Sequence, residues 1–142
     1  MQWSSPLHHL EIVSAGRARD LLRAGADLDA AVRVGGPTPL SLAQALGEAG
    51  TAAAGSAARL VLRASGPWSS EGHDLFPATA RARAVELLRL GVLLSRQPRF
   101  HGVEGALVDV WLEGVIPRAV HRLCPHTGGG EAAAERWPAW SP

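Results

Sequence analysis

Tyrosine and lysine are both absent from these 142 residues. Arginine supplies all fourteen positive charges, set against thirteen acids for a net charge of +1. The arginines are scattered and form no basic stripe. Nucleic-acid recognition therefore finds no support, and neither does a strongly charged partner. There is one cysteine, Cys124, so no internal disulfide can form, and a reducing compartment fits best. Gly, Arg or Glu breaks every apolar stretch well short of membrane-spanning length. No basic segment followed by an apolar run opens the chain. The expectation is an intracellular, cytoplasmic protein without a membrane span.

Catalytic signatures are equally scarce. Ser4, Ser5, Ser69, Ser70 and Asp74 lie in no Gly-x-Ser-x-Gly frame. Gly35-Gly36-Pro37-Thr38 lacks the lysine and spacing of a phosphate loop. His121-x-x-Cys124-x-His126 offers three ligands where structural zinc takes four, and no second pair accompanies it. His73 has no partner nucleophile in sequence, and capping a helix or pairing locally is its expected role. Asp27 and Asp29 sit at a turn, where hydrogen bonding to the backbone is their ordinary role. The reading is a non-enzyme with no cofactor and no metal.

What is abundant is Ala, Leu and Arg, with few β-branched residues, and aromatics amount to only 5%. That composition favours helices that approach closely over a core of Leu, Val and Ala. A repeat organises them. Ser5-Pro6-Leu7-His8 and Thr38-Pro39-Leu40-Ser41 start 33 residues apart. Leu21-Leu22-Arg23-Ala24-Gly25 returns as Leu87-Leu88-Arg89-Leu90-Gly91 at twice that offset, with Leu60–Ser65 as a weaker copy between them. A hydroxyl residue before proline starts a helix well, because it can accept from exposed N–H groups while proline fits the first position. Gly25 and Gly91 sit where helices should stop. The spacing predicts helices over Pro6–Val13, Arg17–Ala24, Pro39–Gly47, Ala57–Ala64 and Ala78–Leu90. In the last of these Ala84, Val85, Leu87, Leu88 and Leu90 form the buried face.

The 33-residue period with its hydroxyl-Pro-Leu entry resembles the ankyrin-repeat family. Ser5–Ala30 and Gly36–Ala64 look like successive repeats, and Trp68–Leu94 like a degenerate closing one. The resemblance implies an all-α solenoid of about three helix-turn-helix units. In it His8 bonds backbone and orients its turn, an insertion within Gly47–Gly55 loops out, and Trp68 and Phe76 cover the open end. The chain then divides into repeats over 1–97, a helical extension over 98–126 and a disordered tail over 127–142 that carries Trp137 and Trp140. Val103–Val120 is amphipathic, interrupted by Pro117, and 106–112 is faintly similar to the start of an F-box. Packing back on the repeats is the ordinary role of such a stripe. The alternative is docking on a ubiquitin-ligase scaffold.

Ankyrin stacks bind proteins through finger tips and inner helices, so the resemblance implies a protein-binding module. By position, Ala31, Arg33 and Val34 belong to the first finger, and Gln44, Ala45 and Leu46 to the inner helix of the second unit. His9 and Glu11 are the counterparts of the latter in the first. Stability is expected to be marginal, since a stack needs about three repeats. Only Met1–Ser4 precedes the first unit, and Trp3 alone is available to cover its edge. The closing unit is expected to matter most, because Trp68, Phe76, Val85, Leu87 and Leu88 supply much of the bulky apolar surface, and Leu88→Ala is expected to cost about 2–5 kcal/mol if Leu88 is buried.

Overall fold

The computed structural model describes residues 4–122, and every regular element among them is helical. Helix α1 spans Ala15–Arg23, α2 Pro39–Glu48, α3 Ala57–Ser65 and α4 Ala78–Ser95. Helix α5, Glu104–Val110, passes through a π-helical turn, Trp111–Val115, into the short α6, Ile116–Ala119. The 127–142 tail, Trp3, and Cys124 and His126 of the three-ligand motif lie outside the described residues.

Local chemistry sets most helix starts. Ser14 and Ser56 accept from the backbone N–H of Arg17 and Arg59, opening α1 and α3. Thr38 and Ser41 form a reciprocal capping box at α2, with Pro39 in the first turn. Gly25 takes φ +88° directly after α1, the left-handed closure expected of it.

Two helix expectations need correction. Pro6 does not open an α-helix to Val13. Pro6–His8 is one 3-10 turn, and His9 at φ −119°, ψ 51° has left helical space. Ser5 gives no cap, because its hydroxyl bonds the His8 ring at 3.0 Å. The second correction is at Gly91, which does not end α4. It is buried in mid-helix, and the helix runs on to Ser95. The repeated Leu-Leu-Arg-x-Gly string therefore closes a helix at Gly25 and lines a helix contact at Gly91.

Helix α3 packs against both α2 and α1, and the Pro6–His8 turn packs on α2. The first core joins Leu7, Leu10, Ala18, Leu22, Leu28, Ala43, Ala58, Val61 and Leu75. Alanines at the contacts let the helices approach closely. The 49–56 connection between α2 and α3 is mostly exposed and turns through Gly50 and Gly55, both at positive φ.

A second core brings Trp68, Phe76, Ala80 and Ala84 together with Ile116 and Val120. Trp68 and Phe76 do not form an outer cover. They are interior, and α5 with its continuation is laid over α4. Nor does Pro117 end the helical run: it stands in the first turn of α6, directly after the π-helical turn Trp111–Val115, where the hydrogen-bond ladder is already shifted. The forecast face of α4 is partly wrong. Ala84 is buried and Leu87 and Leu88 are half-buried, but Val85 and Leu90 are exposed.

Candidate functional site

The first turn and α2 enclose a cleft of about 450 Å³ lined by His8, His9, Leu10, Glu11, Ile12, Leu42, Ala45 and Leu46. Its position follows from the early end of the first helical turn. The 3-10 turn ends at His9, the chain then makes a separate turn in which Ile12 and Val13 N–H donate to His9 O at 3.0 Å, and Ile12 is 83% exposed.

His8 fixes this geometry. Its Nε2 lies 3.0 Å from the Ala30 carbonyl oxygen, and its Nδ1 lies 3.0 Å from the Ser5 hydroxyl and 3.3 Å from the Ser5 carbonyl oxygen. One imidazole thus ties the first turn to the loop after α1. His9 Nε2 meets the Ser4 hydroxyl at 3.2 Å at the exposed edge.

Of the sequence-predicted positions, His9, Glu11, Ala45 and Leu46 line this one cleft. Gln44 is exposed on α2 outside the lining. Ala31, Arg33 and Val34 stand exposed on the loop between α1 and α2, whose tip is turned by Gly36 N–H donating to Arg33 O at 2.8 Å. None of the three lines the cleft. Asp27 has the expected turn role: its Oδ1 accepts from Asp29 N–H at 2.9 Å.

No protein-family model, curated protein or solved structure matches this chain.

The sequence reading did not single out Arg122. Its Nη1 donates to Leu75 O at 2.5 Å and its Nη2 to Leu22 O at the end of α1, while the guanidinium stands 5.9 Å from the centre of the Phe76 ring. Burial pushes its pKa down to about 10, so it remains a cation at neutral pH. Nothing in the local sequence marks it, because its carbonyl partners lie 47 and 100 residues earlier. His73 was expected to pair locally and does so: its Nδ1 accepts from the indole N–H of Trp68 at 3.1 Å.

Val103–Val120 packs against α4 through Trp111, Leu112, Ile116 and Val120, as an apolar stripe ordinarily does. Among the described residues, no three His, Cys, Asp or Glu side chains converge into a metal-binding group, and no helix is long and apolar enough to cross a membrane.

Proposed function

We propose that this chain is a non-catalytic protein-binding module of the ankyrin-repeat type, an all-α solenoid whose recognition surface is the cleft between the first turn and α2. The observation that carries this reading is the gathering of His9, Glu11, Ala45 and Leu46 around one concave site beside the exposed Ile12. A concave site with apolar walls and a few polar groups is the usual form of a recognition site. Three further features favour the repeat type. Helix α1 packs on α3 while the first turn packs on α2, so equivalent parts of successive units stack. His8 bonds the Ala30 carbonyl, the backbone-orienting role that the resemblance assigns it. Leu40 N–H donates to Leu28 O at 3.0 Å, anchoring the second entry turn on the first unit.

The partner is another protein. The ligase-adaptor alternative has less support, because Trp111, Ile116 and Val120 are occupied in packing, Leu107 and Val115 are half-buried, and Val103 and Val110 face outward.

Affinity purification of the full chain with mass spectrometry, followed by titration of the purified partner, tests the reading. Ile12→Asp combined with His9→Ala should weaken binding at least tenfold, with the circular dichroism spectrum unchanged. Substituting Arg33 and Val34 together reports separately on the finger. Unchanged affinity in both variants would exclude this surface. Recovery of an F-box-binding scaffold that is lost on altering Val103 and Val110 would favour the adaptor role instead.

A further inference from the structure

Among the described residues, nothing covers one side of α4. The line through Ala80, Ala84, Gly91 and Ser95 is buried. At helical spacing, Leu88, Val92 and Val85 fall side by side next to it, and Leu93 closes the arc on the same exposed side, beyond Arg96 and Arg89. Leu93 is 62% exposed and Val85 38%, while Leu88 and Val92 are half-buried. Two adjoining depressions follow this arc and share Leu88. One, of about 410 Å³, is lined by Leu88, Arg89, Val92 and Leu93. The other, of about 230 Å³, takes in Val85 and continues to Trp68 and Leu112. Apolar surface gathered in this way on a helix marks a site of interaction.

Charge indicates what it takes. Helix α4 holds one acid, Glu86, against Arg81, Arg83 and Arg89, with Arg96 directly after it. Arg81 and Arg83 donate to the carbonyls of Phe76 and Ala119. Arg89 and Arg96 lie along the apolar arc, exposed, with no carboxylate partner within ion-pairing distance among the described residues.

We propose that this arc is a docking groove for an amphipathic helix of a partner protein, apolar on one face and acidic along its margin. From Val85 to Arg96 the groove is about 16 Å long at 1.5 Å per residue, enough for three turns of such a helix. A second copy of the same face would set arginine against arginine.

The test titrates the isotope-labelled full chain with a synthetic helical peptide that carries Leu at i, i+3 and i+7 and Glu on its flanks, and with a control in which Lys replaces Glu. Amide shifts should cluster between Val85 and Arg96 for the acidic peptide only. Leu93→Glu, at an exposed position, should weaken binding at least tenfold, and Arg89→Glu should move the preference toward the Lys peptide. Shifts elsewhere, equal binding of both peptides, or indifference to Leu93→Glu would each overturn the proposal. It would be overturned as well if Leu93→Glu abolished binding to anionic vesicles, or dimerisation in sedimentation, while neither peptide bound.

Discussion

The indole of Trp111 lies flat against Gly91, so closely that a Cβ placed on Gly91 would stand 2.6 Å from Trp111 Cδ1. The same indole donates from Nε1 to Leu87 O at 2.5 Å, one turn earlier on α4. Alanine in mid-helix gains about 1 kcal/mol over glycine in propensity. Forcing the ring away costs about 1–3 kcal/mol. Gly91→Ala should therefore destabilise the chain despite the better helix former, and urea denaturation reads the difference. Trp111→Ala combined with Gly91→Ala should abolish the clash term.

Leu22 is fully buried in the first core, whereas Leu88 is only half-buried. Leu22→Ala should cost about 2–5 kcal/mol and Leu88→Ala markedly less, because the penalty follows the cavity left behind. Denaturation midpoints of the two variants check the order.

Trp68 is buried, and its N–H has His73 Nδ1 as acceptor. His73→Ala leaves a buried donor unsatisfied and should cost about 1–3 kcal/mol. His73→Gln, which restores an acceptor oxygen, should recover part of that loss in the same denaturation assay.

Glu104 gives a pH dependence. The backbone N–H groups of Glu104 and Gly102 hold its carboxylate below the usual range, with His101 adding to the effect. A depressed carboxylate pKa contributes stability above the unfolded value and loses it as pH falls through the folded one. The start of α5 should loosen on acidification, and Glu104→Gln should remove that dependence. Carboxyl-detected NMR titration should place the Glu104 midpoint below 4.5.

Helix starts were the most legible part of the fold, because the signals sit within three residues of what they control. Thr38, Pro39 and Ser41 cap α2 as a local unit. Ser5-Pro6 carries a similar signal, yet the helix fails at His9, where the His8 ring is drawn to Ser5 and to a carbonyl in the next loop. Gly91 misled for the opposite reason. Its sequence neighbours copy those of Gly25, but its role is set by an aromatic ring that arrives from a later segment. Of the cleft, the sequence pointed to four lining residues through repeat register, and it missed Ile12, whose exposure depends on that early helix end.

Arg122 should be the costliest polar side chain to remove. Hydrogen bonds from charged groups contribute about 1.5–3 kcal/mol each, offset here by desolvation. Arg122→Ala should destabilise by about 1–3 kcal/mol, and amide exchange should quicken at the end of α1, far away in sequence. Arg122→Lys should rescue little, since one ammonium lacks the fork that spans two carbonyls.

A stack of repeats with only neighbour contacts can fray from either end, one unit at a time. Here the guanidinium near the end of the described chain binds a carbonyl 100 residues earlier, so opening either the end of α1 or the last described segment breaks the same contact. That single link turns a zipper into a ring. Closing it is slow, since the entropy of joining distant residues is lost before the contact rewards it. On the ribosome, α1 must therefore wait for nearly the whole described chain to emerge before its final partner arrives.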